Sequence, residues 1–160
     1  RWREYLEDWR LYKSGQFASR TSIPSDWFED IPAGWRLPPD FLTTPHLGVG
    51  ETLFRLTEIF HFARNLTSGP LGGASSTINV GLRRTAGRSL WVDDPRRTGF
   101  MVPPTATVDR IDLERHLSSD QLLADPNGIA VDAALEVFEL FGWDPERATL
   151  VNQLESLNQI

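Results

Sequence analysis

The sequence contains no cysteine, which excludes a disulfide framework and thiolate metal sites. It also has no signal peptide and no long apolar run, so we expect a cytoplasmic protein that does not associate with membranes. Lysine is almost absent: Lys13 is the sole one, and the other fifteen of the sixteen basic residues are arginines. Guanidinium groups suit bidentate pairing with carboxylates or phosphates, although an arginine-rich genome gives the same bias without a function.

The length and composition are those of one folded domain. At 160 residues the chain can bury a core without covalent cross-links, and its 40% hydrophobic and 24% charged residues are close to the globular average. We therefore expect a single domain over residues 1–160. The chain starts at Arg1 without an initiator methionine, which leaves open a processed chain or a fragment of a larger polypeptide.

Charge is distributed unevenly along the chain. The net charge is −6, which disfavours non-specific attraction to phosphate backbones over most of the surface. Residues 77–100 nevertheless hold five arginines against two aspartates, whereas residues 109–160 hold eleven acidic residues against three arginines. One basic segment therefore lies within an acidic chain.

The segment with the clearest periodicity is residues 51–66. Its apolar residues recur at helical spacing and predict a core helix with one wide apolar face. That face consists of Leu53, Leu56, Ile59, Phe60, Ala63 and Leu66, flanked by Phe54 and Phe62. Glycines precede the segment and a Thr-Ser-Gly-Pro run follows it, so residues that stop a helix stand at both ends.

Aromatic residues dominate the N-terminal part of the chain. Three aromatic residues and one leucine have helical spacing and predict an amphipathic helix over residues 1 to about 10. Those four are Trp2, Tyr5, Leu6 and Trp9. A short strand or turn around Gly15 is predicted to follow this helix. In residues 22–50 prolines alternate with large aromatic residues, so we expect a Pro/aromatic-rich wrapping loop. Its aromatic side chains either pin it to its own core or dock on a partner.

Two alternating segments predict a β-hairpin that pairs residues 77–82 with residues 88–92, because apolar residues recur at every second position and the intervening segment contains a glycine. Residues 93–97, Asp-Asp-Pro-Arg-Arg, predict a turn in which the proline prevents further ladder pairing. Residues 108–117 predict a third strand. The alternative is that Ser118 or Ser119 caps a short helix that runs through Leu123.

The C-terminal part predicts a helical hairpin. Asp125 and Pro126 form an N-cap and N1 pair ahead of a helix with an apolar face. Gly142 follows in the position of a C-terminal cap, with Trp143 placed to contact Phe138. A last helix is predicted to start at residues 144–145.

The arginines around the predicted hairpin are the first candidate site. Guanidinium groups at a strand edge can contact phosphates while a tryptophan stacks on bases. The candidate nucleic-acid-binding residues of this Arg-rich hairpin, 83–97, are Arg83, Arg84, Arg88, Trp91, Arg96 and Arg97. The alternative is that Asp93 and Asp94 pair with these arginines inside the chain.

No constellation in the sequence indicates catalysis. Glu58 and His61 have the i, i+3 spacing of two metal ligands on one helix, but the partners that a metal site needs are missing. Residues 68–73, Ser-Gly-Pro-Leu-Gly-Gly, lack the lysine and hydroxyl of a phosphate loop, and no nucleophile elbow is present. Asp93 and Asp94 are adjacent and would point to opposite faces of a strand. We expect no catalytic residue, metal or cofactor, while an enzyme site completed by another domain stays open.

One region has a family resemblance. His-Phe-Ala-Arg-Asn-Leu at 61–66, then Gly-Pro-Leu-Gly-Gly and Ile-Asn-Val-Gly-Leu, give the order helix, Gly-rich turn, strand. Over about residues 51–82 this order resembles Schlafen-type DNA-binding domains carried by uncharacterised bacterial proteins. The resemblance implies an accessory domain of a bacterial nucleic-acid-linked or antiviral defence protein, and it implies no catalytic residue.

The sequence thus predicts an α+β domain, in which the central helix and the C-terminal helical hairpin pack on a small antiparallel sheet. For its function we expect a non-catalytic protein-interaction or accessory domain of a larger bacterial protein or assembly, with another protein chain or a flanking domain as partner. Tryptophan anchors are common at such interfaces, and the candidates are Trp2, Trp9, Trp27 and Trp35. The alternative is a nucleic-acid-binding domain that uses the Arg-rich hairpin 83–97.

Overall fold

The computed structural model describes residues 7–27, 41–69 and 73–157. Its elements combine helices with short sheets, which confirms the predicted α+β class. In chain order they are β1 (Glu7–Leu11), β2 (Phe17–Thr21), a 3₁₀ turn (Pro24–Trp27), β3 (His46–Gly48), α1 (Val49–Thr67), β4 (Ser75–Arg83), β5 (Ser89–Trp91), β6 (Arg110–Ser118), α2 (Ser119–Ala124), α3 (Pro126–Glu139) and α4 (Arg147–Leu157).

The central helix α1 holds the core together. It contacts α2, α3 and α4 as well as β3 and β4, and its apolar face buries Leu53, Leu56 and Phe60. The helical spacing of these residues brings them onto one side of the helix, as the sequence predicts. No helix in the described ranges is both long and apolar enough to cross a membrane.

The antiparallel sheet is formed by β4 and β6. Nine residue pairs join these strands, from Ser75↔Ser118 to Arg83↔Arg110. In β6 the residues Ile111, Leu113 and Leu117 are buried while the residues between them are more exposed, which is the alternation of a sheet with one face on the core. The predicted third strand is therefore confirmed.

The predicted hairpin between residues 77–82 and 88–92 is wrong. Strand β4 pairs with β6, and β5 pairs in parallel with β3. The chain turns away at Arg84, which has a left-handed φ of 58°. Thr85 then continues the contact with the strand that leads into β6, since its N–H donates to the Asp109 carbonyl and its hydroxyl donates to that of Val108. The two alternating segments are close in sequence, but each pairs with a strand that is distant along the chain.

The predicted N-terminal helix is wrong for residues 7–10, which belong to β1. Strand β1 pairs with β2 in an antiparallel hairpin, and Gly15 supplies the positive φ of 82° in the turn, at the place where the sequence predicts a strand or turn. The rest of that helix prediction, with Trp2, lies outside the described residues. So does much of the wrapping loop, including Trp35, while its described part contains the 3₁₀ turn, β3 and the start of α1.

The helices at the C-terminus follow their local signals. Ser118 and Gln121 form a capping box at the start of α2, and the carboxylate of Asp125 accepts the Gly128 N–H at the start of α3. Gly142 has a φ of 83°, and the Trp143 N–H donates to the Phe138 carbonyl. Helices α3 and α4 pack on each other and on α1, which confirms the helical hairpin, although α4 starts at Arg147 rather than at residues 144–145.

The first turn of α1 is capped from a distant part of the chain. The N-cap residue, Gly48, has no side chain, and the two carboxylate oxygens of Asp93 accept the N–H groups of Gly50 and Glu51 at 2.6 and 2.7 Å. A Cβ at Gly48 or Gly50 would lie only 2.5 or 2.8 Å from that carboxylate. Glycine is therefore needed at both positions because the carboxylate lies directly on the backbone of the turn.

We predict that Asp93→Ala lowers the free energy of unfolding by about 1–2 kcal/mol, because two N–H groups at the start of α1 lose their acceptor. Asp93→Asn keeps one acceptor oxygen and is expected to cost less. Urea denaturation measures both changes. Asp120→Ala, at an exposed aspartate in the first turn of α2, is the control and should change stability by less than about 0.5 kcal/mol; equal losses at positions 93 and 120 would contradict the capping role.

Candidate functional surfaces

Most of the candidate arginines lie beside carboxylates of this chain. Arg83 Nη1 is 2.9 Å from the Asp112 carboxylate on the neighbouring strand. Asp94 accepts from Arg96 at 3.0 Å and lies 3.5 Å from Arg97 Nε, and the hydrogen bond from Arg96 is the main cause that lowers the Asp94 pKa. These contacts neutralise much of the positive charge that the segment carries.

Two further candidate residues, Arg88 and Trp91, are buried inside the domain. Arg88 is 3% exposed, and its guanidinium donates two hydrogen bonds to the Asp26 carboxylate, at 2.6 and 2.9 Å, and a third to the His46 carbonyl. Trp91 is 5% exposed, with its ring 4.8 Å from that of Phe41 in an edge contact. Neither side chain offers a surface on which a nucleotide can lie.

Arg84 differs from these residues, because it is exposed in the left-handed turn that follows β4. The Arg-rich segment is therefore not one basic surface: its members are divided between the ion pair of the buried Arg88 with the exposed Asp26, a strand edge, a turn and the Asp94 cluster. The sequence did not indicate the Arg88–Asp26 pair, since its partners are separated by 62 residues. A lone aspartate in a proline-rich segment is too common a feature to signal such a pair.

Of the four candidate interface tryptophans, Trp9 has a described side chain. It lies on β1 and is 63% exposed. Trp27 is the last residue of the 3₁₀ turn, and its side chain lies outside what the structure describes, as do Trp2 and Trp35 entirely. Trp9 is thus the candidate for which the structure gives a surface.

That surface is one face of the β1–β2 hairpin. Leu11 is paired with Phe17, and Trp9 is two residues before Leu11, so the three side chains share a face. The Phe17 ring contacts the ring of Phe62 on α1, with centroids 4.4 Å apart. We call these four residues, Trp9, Leu11, Phe17 and Phe62, the aromatic hairpin surface.

The opposite face of the same hairpin is polar. Asp8 is paired with Arg20, and Arg10 is paired with Ala18. All ten residues of the two strands are exposed, although the ring of Phe17 rests against Phe62, so the described part of the chain covers neither face of this small sheet fully. The hairpin therefore has the two-sided pattern of a half-buried sheet without a buried side.

Three carboxylates, those of Glu51, Asp93 and Asp26, lie close together near the start of α1. The pKa of Glu51 is raised to about 7, chiefly because burial penalises its charge and also because Asp93 and Asp26 lie near it, while Arg88 acts in the opposite direction. Burial also raises the pKa of Asp93, against the effect of the two N–H groups that it accepts. Glu51 can therefore hold a proton near neutral pH.

Within the described ranges, the carboxylates at the start of α1 lack the further ligands that a metal site would need. Among the residues described, no set of three or more His, Asp or Glu side chains is arranged to hold a metal ion. His46 is buried, with its Nδ1 2.7 Å from the Thr44 carbonyl and its ring stacked on Phe41. His61 contacts the Asn127 side chain, and Glu58 pairs with Arg55 on the same helix. The Glu58–His61 spacing thus serves contacts with other side chains.

We predict that Glu51→Gln stabilises the protein at about pH 8 and has little effect at about pH 4.5. Between pKa values of 4.5 unfolded and about 7 folded, the folded state binds more protons, so wild-type stability falls as pH rises through this window. Removing the charge should raise the free energy of unfolding at the higher pH by about 1–2 kcal/mol, discounted for the partial exposure of Glu51.

Denaturant titrations over this pH range test the effect. Glu58→Gln is the matched control, since Glu58 is an exposed glutamate on the same helix. The assignment fails if Glu51→Gln gives the same stability difference at every pH, or if Glu58→Gln gives the same profile.

Comparison with known proteins adds no relative to this description. No family model matches the chain, and no match is found among curated proteins or among solved structures. Any function must therefore be argued from the surfaces described above.

Proposed function

We propose that this chain is a non-catalytic protein-interaction domain, an accessory part of a larger assembly, and that the aromatic hairpin surface binds a segment of a partner protein. One observation carries the proposal. Strands β1 and β2 are exposed along their whole length, and one of their faces carries two large apolar side chains, Trp9 and Leu11, that are 63% and 52% exposed. Large apolar groups clustered in this way mark interaction sites more often than scattered ones do.

The stability of the hairpin supports a partner. A two-stranded sheet is marginally stable on its own in water, and it needs a third strand or a packed face to become rigid. Within the described ranges, its ring contact with the body of the domain is that of Phe17 on Phe62. A partner that covers Trp9 and Leu11 would supply the missing packed face.

The partner that best fits is an extended apolar segment of another protein chain. The described residues place no further strand beside β1 or β2, so backbone N–H and C=O groups at the sheet edges are available for strand addition. Alternate apolar side chains of an added strand would lie beside Trp9 and Leu11. Covering the exposed part of one tryptophan contributes about 2–4 kcal/mol by the usual area relation.

We predict that a photo-reactive amino acid at position 11 forms a cross-link to one protein species in cells of the source organism, because Leu11 lies in the centre of the aromatic hairpin surface. The same group at position 140 is the control, since Leu140 is an exposed apolar residue at the end of α3. Mass spectrometry identifies the cross-linked chain. Equal cross-linking at both positions, or none at position 11, would count against the proposal.

Once the partner is identified, we predict that the double variant Trp9→Ser, Leu11→Ser weakens its binding by at least about 30-fold, as expected for truncating an aromatic anchor. Leu140→Ser should leave the affinity unchanged. Both variants should melt within a few degrees of the wild type, because neither position belongs to the buried core. Calorimetry gives the affinities, and full affinity in the double variant would refute the assignment.

The alternative function is nucleic-acid binding through the Arg-rich segment 83–97. It is less well supported, because Arg83, Arg96 and Arg97 already pair with carboxylates of this chain. We predict that the protein does not bind short single- or double-stranded DNA or RNA at low salt. Replacing Arg83 and Arg84 by Ala should leave the measured affinity for these nucleic acids unchanged. Binding that falls steeply with salt and that is lost in this variant would instead move the function to the arginines.

A further inference from the structure

The outer edge of β4 is a second place where the described chain leaves a sheet open. Strand β4 pairs with β6, and within the described ranges no third strand pairs with its other side. The Ser119 N–H donates to the Ala74 carbonyl, which continues the ladder by one bonded pair. Because bonded pairs alternate in an antiparallel ladder, the even-numbered residues of β4 bond to β6. The odd-numbered residues therefore direct their N–H and C=O groups away from β6, towards the outer edge.

Burial across this sheet decreases towards β4. On the face that packs on the core, Val80 and Leu82 lie opposite Leu113 and Ile111. The two β6 residues are buried, whereas the two β4 residues, like Ile78, are only partly buried. The apolar area that stays accessible on this face therefore lies on the β4 side, where a further strand would cover it.

Strand β4 lacks the features by which proteins usually protect an exposed sheet edge. Such edges commonly carry lysine, proline or other charged residues, or they are interrupted by a bulge. Residues 75–82 contain no proline and no charged residue, and Arg83 at the end of the strand pairs with Asp112 on β6. The nine ladder pairs follow one another without a break. The outer edge of β4 is thus continuous, uncharged up to Arg83 and suited to strand addition.

The strand that fits this edge best is β4 of a second copy of the chain. Antiparallel pairing about a twofold axis at Asn79 brings all nine residues of the strand into register, with Arg83 opposite Ser75 of the second copy. Ile78 of each copy then lies opposite Val80 of the other on the core-facing side. The net charge of −6 makes two copies repel each other over most of their surface, but no like charges lie opposite each other along this edge.

We propose that the chain forms a homodimer in which two β4 strands pair antiparallel around Asn79 and join the two small sheets into one larger sheet. A sheet of three or more strands is more stable than a two-stranded one. Two paired strands bury less area than a standard interface, so we expect a Kd on the order of 100 µM. The outer edge of β4 is separate from the aromatic hairpin surface, so this proposal and the interaction proposed above can fail independently.

Amide exchange with water, measured by NMR at about 20 µM and about 1 mM chain, tests the pairing residue by residue. The outward N–H groups of Thr77, Asn79 and Gly81 should exchange at least about threefold more slowly at the higher concentration. Those of Ile78 and Val80 bond to β6 and should be protected at both concentrations. Outward groups that exchange equally fast at both concentrations, or that are protected at both in a chain that sediments as a monomer, would overturn the proposal.

Sedimentation of variants assigns the dimer to this edge. Asn79→Lys places two like charges opposite each other at the axis and should weaken the dimer at least about fivefold, without lowering the melting temperature by more than a few degrees. Glu139→Gln changes the net charge by the same amount at the exposed end of α3 and should leave the dimer unchanged. So should the double variant Trp9→Ser, Leu11→Ser. A dimer that Asn79→Lys leaves intact, or that the double variant removes, uses another surface and would overturn the proposal.

Discussion

The contact between Asp93 and the first turn of α1 is the interaction on which the arrangement of this domain depends. Strand β3 runs directly into α1, and β5 lies parallel to β3 with Gly48 opposite Trp91. Asp93 follows the last paired residue of β5 by two positions, and its carboxylate accepts two N–H groups in the first turn of the helix that follows β3. The parallel pair therefore fixes both the start of the central helix and its cap, and the glycines at 48 and 50 leave the space for the carboxylate.

Several buried polar groups follow from that geometry. Arg88 precedes β5 and reaches the Asp26 carboxylate and the His46 carbonyl, so the 3₁₀ turn and β3 are held to the same strand. Burying the Arg88 guanidinium costs desolvation energy, which its four hydrogen bonds, to Asp26 and to two backbone carbonyls, offset. Glu51 is the carboxylate in this group that burial disfavours most clearly, since its pKa is about 7. The region combines satisfied charges with one group whose charge depends on pH.

The sequence predicted the elements whose signals are local. The apolar period of α1, the alternation of β6 and the caps at Ser118, Asp125 and Gly142 all involve residues within one or two turns of each other. It failed where the partner is distant: β4 pairs with a strand about 30 residues further on, and β5 pairs with one more than 40 residues before it. For Trp9 the spacing to Tyr5 and Leu6 suggested a helix, but pairing with β2 decides its structure. Among the site residues, the burial of Arg88 and Trp91 rests on Asp26 and Phe41, which no local pattern connects to them.

The candidate arginines and the aromatic hairpin surface differ in how many contacts their side chains already make within the chain. Arg83, Arg88, Arg96 and Arg97 each have a carboxylate of this chain within 4 Å, so binding a phosphate would require exchanging one ion pair for another. Among the described residues, Trp9 and Leu11 have no such internal competitor, and releasing water from their exposed apolar area on binding is favourable. Binding at the aromatic hairpin surface therefore starts from apolar groups that folding has left exposed, whereas binding at the arginines would start from groups that are already paired.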